Sequence, residues 1–430
     1  MSVLIVGISH KTAPVALLER LALDRDGLVK LITDVRHSSH VGEATVIATC
    51  NRLEVYAEVD RFHGSVEELS SLLVERSGEP TDALLPHLYV HYDEAAVAHL
   101  FQVTAGLDSM VVGEAQILGQ TREALRVGQE LGTAGAALNT LFQQALRVGK
   151  RVHAETDLDR AAPSLVTAAL EHASPDGAAI TGKRVVILGA GSMAGVATAT
   201  VSRLGAGDIV ISNRTVGNAD RLAADYAARS VPFDALDDEL ARADVLIACT
   251  GALGHVISRD QLAPALADGR SFLAIDLAMP HDIDPTVADL PGVRLVGLAS
   301  LAETLEDDDD LPYDLEDVRS IVGDEVAAFM TARRVASVTP TVVALRTMAT
   351  SVVEAEAARL DNRLPDLDPK VRAEVVATLR RVSEKLLHQP TVRVRELEAE
   401  GEAVSYAAAL AELFALDPEA VQAVTRVEGL

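Results

Sequence analysis

Arg184-Val185-Val186-Ile187-Leu188-Gly189-Ala190-Gly191-Ser192-Met193-Ala194 decides the fold of the middle of this chain. Val185 to Leu188 form a continuous apolar run, the mark of a strand buried on both faces of a parallel sheet. Gly189-x-Gly191-x-x-Ala194 follows without a gap and opens a run of small residues that reads as a helix. Strand, glycine turn and helix together are the context that a dinucleotide fingerprint requires. The glycines allow the turn and a close approach of backbone to pyrophosphate, and the helix N-terminus favours its negative charge. Gly189, Ala190, Gly191, Ser192, Met193 and Ala194 are therefore candidate cofactor contacts. The next strand, Asp208–Ser212, ends in Asn213-Arg214-Thr215. An NAD site usually has an acid there for the ribose hydroxyls; Arg214 suits a 2′-phosphate, so the expected cofactor is NADP. Ala243–Gly251 and Ser271–Leu277 read as further parallel strands, with Cys249 a packing residue inside its strand.

Upstream, Thr49-Cys50-Asn51-Arg52 joins two runs, Ala44–Ala48 and Leu53–Val59, that read as strands. Reactive side chains often sit at such a strand end or turn. A thiolate is a nucleophile, and a nearby cation lowers the thiol pKa from about 8.5. Arg52 is such a cation, or else a two-pronged holder for a substrate carboxylate. From the tetrapeptide alone, the commoner reading of Cys50 is a small buried hydrophobe. Around it the pattern predicts a strand from Ser2 to Gly7 and helices from Pro14 to about Leu23, Asp26 to Arg36, Ser65 to Arg76 and Asp93 to Thr104. The mixture is that of an α+β domain. His99, in the last of these helices, suits proton transfer near neutral pH, and equally a structural role. Gly106 to Gln120 is a glycine-punctuated segment whose Ser109, Glu114, Gln116 and Gln120 offer donors and acceptors to a small polar substrate; it also reads as a tight turn before a helix. Helices are expected from about Ala115 to Leu131 and from about Ala136 to Ala154.

Past Leu301 an acidic run from Glu306 to Asp310 marks a boundary. The rest is helical and charged, with Pro340 expected to interrupt it, a loop from Asn362 to Pro369, an amphipathic stretch from Val371 to Leu387 and a short helix from Asp417-Pro418. Such a tail most often packs against its copy in a dimer. The 430 residues are long enough for several domains. The N-terminus has no signal-peptide pattern, and no uninterrupted apolar run reaches the ~18 residues of a membrane span, so no membrane is expected. Two cysteines far apart suggest a reducing cytoplasm. A net charge of −26 argues against a general nucleic-acid surface. Arg122, Arg126, Arg147, Lys150 and Arg151 form one basic patch, read on charge alone as a solvated helix face.

Taken together, Gly7-Ile8-Ser9-His10-Lys11-Thr12-Ala13-Pro14, Thr49 to Arg52, Gly106 to Gln120, Lys150 to Thr156, the fingerprint and Lys385-Leu386-Leu387-His388-Gln389-Pro390-Thr391 resemble the glutamyl-tRNA reductase family, over nearly the whole chain. The resemblance implies an N-terminal α+β catalytic, glutamate-recognising domain (1–160), a Rossmann-type NADP-binding domain (161–305) and a long spinal helix with a C-terminal helical dimerisation domain (306–430). It implies NADPH-dependent reduction of glutamyl-tRNA to glutamate-1-semialdehyde, the first step of five-carbon tetrapyrrole synthesis, with release of tRNA. Cys50 matches the family nucleophile that forms a thioester, and His99 the activity-critical histidine. Thr49, Asn51, Arg52, Ser109, Glu114, Ala115, Gln116 and Gln120 match positions that line the glutamate pocket, with Arg52 chosen for the substrate carboxylate. The family works as a homodimer, with an aminomutase as a further partner, and implies no metal. Three departures stand out: Ala115 where Asp or Pro is common, Ala161-Ala162-Pro163-Ser164 in place of Gly-Ala-Val-Ser, and His281 after Pro280 where Arg is frequent. A small-molecule dehydrogenase of the shikimate-dehydrogenase type is the alternative; it accounts for residues 180–300 and leaves Cys50 and the tail unused.

Overall fold

The computed structural model describes residues 2–114, 116–156, 164–174, 180–252, 254–267, 269–306, 315–400 and 406–416. Ala115, Ala161 to Pro163, the acidic run beyond Glu306 and the expected helix at Asp417-Pro418 lie outside them. The chain divides into two compact units, Met1–Gly323 and Asp324–Leu430.

The first unit holds two sheets. Strands β1 (Ser2–Ser9), β2 (Val41–Ala48), β3 (Arg52–Val59) and β4 (Tyr89–Tyr92) form an antiparallel sheet in the order β2-β3-β1-β4. Every residue of β3 is buried. Because side chains alternate across a strand, Leu53, Val55, Ala57 and Val59 enter one core with Leu31, Ile32, Val35, Leu69 and Leu73. Arg52, Glu54 and Tyr56 point to the opposite face, where Tyr56 meets Phe142 edge-on at 5.2 Å. Helices Glu94–Thr104 and Ala136–Glu155 pack together on this side, the latter also against β3.

The short strand β4 was not foreseen. Gly7 on β1 stands opposite both Glu54 and Tyr89. A Cβ at Gly7 would lie 2.8 Å from Glu54 Cγ and 2.9 Å from the Tyr89 ring. The missing side chain therefore lets Tyr89 reach across β1 to Glu54.

The second sheet is wholly parallel: β5 (Arg184–Leu188), β6 (Asp208–Ser212), β7 (Arg229–Val231), β8 (Val245–Ala248), β9 (Phe272–Asp276) and β10 (Val293–Gly297), in the order β10-β9-β8-β5-β6-β7. Read from the β7 edge this is the doubly wound 3-2-1-4-5-6 order, whose switch point lies between β5 and β8. Val185 and Ile187 face one core, Val186 and Leu188 the other. Cys249 lies just past the end of β8 rather than inside a strand, its Sγ 3.5 Å from the Leu188 carbonyl oxygen.

Pro340 does not interrupt the tail. It sits inside one continuous helix, Glu316–Arg363. A proline there loses one helical hydrogen bond, but the turns on either side are pinned: Val338, Val342 and Leu345 are buried in a core with Val394, Leu410 and Leu416. Pro390 is likewise carried inside Pro369–Glu400, so the amphipathic stretch extends past Leu387. A third helix, Tyr406–Leu413, had no clear sequence signal. By length and composition alone, Glu316–Arg363 is also long and apolar enough to cross a bilayer. The expectation of no such run counted uninterrupted apolar residues, and Thr339, Pro340 and Thr341 break this one.

Candidate active site

Cys50 sits at the tip of a tight connection between β2 and β3. Thr49 N–H donates to the Arg52 carbonyl at 2.9 Å, and Thr49 Oγ1 accepts from the backbone N–H of Asn51 and Arg52 at 3.1 and 3.2 Å. His10 N–H donates to the Asn51 carbonyl at 2.9 Å. The hairpin thus closes on itself and is tied to the turn after β1. Cys50 packs against the core that holds Met110, Val111 and Met193, so the thiol rests on the nucleotide-binding domain.

The electrostatics reverse one expectation. Burial pushes the Cys50 thiol up to about 12, and the Glu114 carboxylate adds to the rise; Arg52 pulls the other way and is outweighed. Arg52 is itself committed. It is 3 % exposed, and its guanidinium donates to Glu54 Oε1 at 2.8 Å, to the Asp108 carbonyl, and pairs with the Asp108 carboxylate at 3.0 Å. Lys11 pairs with Asp108 from the other side. His99 is buried, with Nε2 2.8 Å from Glu54 Oε1 and its ring stacked on His91 at 4.2 Å. Burial and the Arg52 charge push His10 down to about 4, so it is neutral at pH 7.

Two glycines close the adjoining loop. Gly106 has φ +80° and Gly113 φ +87°; Gly113 N–H donates to the Gly106 carbonyl at 2.9 Å, and a Cβ at Gly106 would lie 3.1 Å from Gly113 Cα. The closure buries Ser109 and sends Met110 and Val111 into the nucleotide-domain core. Glu114 follows. Its Oε1 is buried with no hydrogen-bond partner among the described residues, and burial pushes its carboxyl up to about 7. Gln116 opens helix Gln116–Glu130 and its amide donates to Ser192 Oγ at 3.2 Å, joining this loop to the fingerprint; Gln120 lies one turn further along.

The turn after β5 fits a dinucleotide. Gly189 has φ +119° and a Cβ there would lie 2.7 Å from the Cys249 carbonyl oxygen, so only glycine fits. Gly191 faces open space and caps helix Ser192–Arg203 with no side-chain bond. The first-turn N–H groups of that helix suit an anion. Ser212 Oγ, ending β6, is buried without a partner among the described residues. Asn213 Nδ2 donates to the Thr215 carbonyl at 3.0 Å, and Arg214 is exposed beside it. His281 lies between the domains: its backbone N–H donates to Glu19 at 3.0 Å and its ring lies 3.6 Å from Asp276, which raises the imidazole pKa.

The structure therefore gathers Thr49, Cys50, Asn51, Arg52, His99, Ser109, Glu114 and Gln116 in one region. The sequence reading missed Glu54, Tyr89, Asp108 and His10. Glu54 had a signal, an acid inside the apolar run Leu53 to Val59 and two residues from Arg52, hence on the same face. The basic patch reads as a solvated face: Arg126 pairs with Glu123 and Glu130, and Arg151 with Glu155.

Three family models match the chain. A glutamyl-tRNA reductase N-terminal domain covers residues 6–156, a shikimate/quinate 5-dehydrogenase domain 171–304, and a glutamyl-tRNA reductase dimerisation domain 317–416. The chain is 68 % identical to a glutamyl-tRNA reductase 1 of Nocardioides sp., with all of both chains covered. It belongs to the glutamyl-tRNA reductase family. A glutamyl-tRNA reductase of Streptomyces avermitilis is 43 % identical, with 100 % of this chain and 97 % of that protein covered. Among solved structures, the family's Methanopyrus kandleri reductase is 29 % identical over 89 % of this chain and 98 % of that one, with a TM-score of 0.42. The shikimate-dehydrogenase likeness is confined to the nucleotide domain, which is of NAD(P)-binding type. That leaves the small-molecule dehydrogenase alternative without support from either end of the chain.

Proposed function

We propose that the protein reduces glutamyl-tRNA to glutamate-1-semialdehyde and releases tRNA, opening the five-carbon route to tetrapyrroles. The observation that carries this reading is the Cys50 hairpin seated on the nucleotide-domain core, in a chain whose relatives bear that name along their full length. Cys50 attacks the aminoacyl ester; the S–C bond forms, the C–O bond to the tRNA 3′ end breaks, and a thioester results. A thiol held near 12 needs a proton acceptor. Glu114, ionising near 7 with a buried unpartnered oxygen, takes the proton and returns it to the departing 3′ oxygen. Thr49, Asn51, Ser109, Ala115, Gln116 and Gln120 bind the glutamyl group. Arg52 takes the substrate carboxylate in place of Asp108, the more exposed of its two acidic partners at 20 % against 0 % for Glu54. Gly189 to Ala194 and Asn213 to Thr215 hold the dinucleotide, which supplies the hydride when bound.

We read the cofactor as NADPH because Arg214, a cation, lies two residues past the end of β6. Arg214→Ala is expected to raise the KM for NADPH about 10- to 100-fold, from the loss of a charge-assisted hydrogen bond, and to leave the KM for NADH nearly unchanged. Steady-state kinetics with both cofactors checks this; equal effects on the two would remove the assignment. The protein acts as a homodimer through its helical tail, where Val352, Val382, Leu386 and Leu413 are more than half exposed. It works in the cytoplasm, in keeping with two unpaired cysteines, and hands its aldehyde to an aminomutase.

The deciding experiment is NADPH oxidation with purified glutamyl-tRNA beside uncharged tRNA and free glutamate. Oxidation with the charged tRNA alone is expected. Oxidation with none of the three, by protein that binds NADPH, would overturn the assignment.

A further inference from the structure

Glu54 has no place in the chemistry described above, yet its carboxylate is the most heavily used in the site. It is fully buried. Oε1 lies 2.8 Å from Arg52 Nη1 and 2.8 Å from His99 Nε2, and it accepts from the Tyr89 hydroxyl; Oε2 accepts from the Tyr56 hydroxyl at 2.5 Å. These partners come from β3, β4 and helix Glu94–Thr104, so one side chain ties three elements together. Gly7 supplies the gap through which Tyr89 arrives. A carboxylate buried to hold one arginine would need no such gap.

We propose that Glu54 is a positioning residue for this reaction, acting through His99 and Arg52. An ionised carboxylate only accepts hydrogen bonds, so His99 Nε2 must carry its proton toward Glu54. His99 is then held as the Nε2–H tautomer, and Nδ1 is the ring nitrogen left for the reaction. The second effect is on Arg52, whose guanidinium plane is set by Glu54 and Asp108 together. The protonation states agree with this. Arg52 and His99 hold Glu54 well below the ordinary carboxylate range despite its burial. Burial and the Glu54 charge push both tyrosines up, so they remain donors. The inference rests on the reading of Cys50 and His99 as the reacting site, but its first test does not use turnover.

That test is the long-range proton–nitrogen correlation spectrum of the full chain labelled with 15N-histidine, with His99 assigned by loss of its signal in His99→Gln. A single Nε2–H tautomer is expected in the unaltered protein. An Nδ1–H tautomer would overturn the proposal whatever the enzyme's substrate proves to be. In Glu54→Gln the amide oxygen keeps the Oε1 place, where Arg52, Tyr89 and His99 all donate, and the amide nitrogen turns to Tyr56. Without the negative charge the bond from Nε2–H is weaker, so a share of the Nδ1–H tautomer is expected to appear, and kcat with glutamyl-tRNA to fall about 100-fold, with NADPH affinity unchanged. Tyr89→Phe removes one donor at Oε1 while leaving every charge in place. It is expected to keep the tautomer and lower kcat about 3- to 10-fold. A folded Glu54→Gln with the original tautomer and rate, or a Tyr89→Phe of unaltered kcat, would reduce Glu54 to a neutralising charge and overturn the proposal.

Discussion

Cys50→Ser is expected to bind NADPH normally and to lose turnover by a factor on the order of 10³ or more, a rise of about 4 kcal/mol in the barrier. Binding survives because the turn from Gly189 to Ala194 takes its geometry from Gly189 and the open face of Gly191, and exchanging sulfur for oxygen at Cys50 alters neither. Turnover is lost because a hydroxyl is far harder to deprotonate than a thiol, and the hairpin gives it no compensating help. Even the thiol is raised to about 12 by burial and by Glu114. The measurement is transfer of labelled glutamate from tRNA to protein, trapped before reduction. The label is expected on the unaltered chain and absent from Cys50→Ser. Cys249 cannot stand in. Burial pushes its thiol up as well, and the carboxylates of Asp282 and Asp276 add to the rise. Near-normal turnover in Cys50→Ser would rule out the covalent route.

The part of this site that was legible in the sequence is the part whose physics is local. Arg184 to Ala194 specifies strand, turn and helix from within eleven residues, because the glycine requirement at Gly189 and the apolar run before it are properties of neighbouring positions. The hairpin around Cys50 was legible for the same reason, being bounded by two runs of β-branched residues. What the sequence hid depends on distant partners. Arg52 looked like a free guanidinium because Asp108, its second acidic partner, lies far along the chain. Tyr89 matters only because Gly7 leaves a gap between two paired strands, which no window of sequence displays. Pro340 looked like a break because the local rule is sound; packing of Val338, Val342 and Leu345 against residues from Val394 onward overrides it. The direction of the Cys50 shift was misjudged for a related reason. Arg52 is adjacent in sequence and Glu114 is not, whereas burial and the Glu114 charge dominate in space.

Glu114→Gln is expected to separate activity from stability in opposite directions. A proton acceptor works in its ionised form, and burial has raised this carboxyl to about 7. Turnover of the unaltered enzyme should therefore rise with pH through about 7, on a limb that belongs to Glu114. In Glu114→Gln that limb should vanish and kcat should fall by about 10²- to 10⁴-fold, the usual contribution of a positioned general base. Stability carries the other sign. A carboxyl whose folded pKa lies above its unfolded value of 4.5 favours the folded state only while protonated. Its contribution is complete below about 4.5 and is lost as pH rises through about 7. At pH 8 the unaltered protein therefore holds a buried charge with an unpartnered oxygen, and the glutamine variant does not. The variant is expected to be more stable there by about 3 kcal/mol, read as a higher thermal midpoint at pH 8 and little difference at pH 5. A residue that served the fold alone would lose activity and stability together. A pH-independent rate in the unaltered enzyme, or a glutamine variant with ordinary turnover, would take Glu114 out of the proton path and leave the Cys50 thiol without an acceptor on this side of the site.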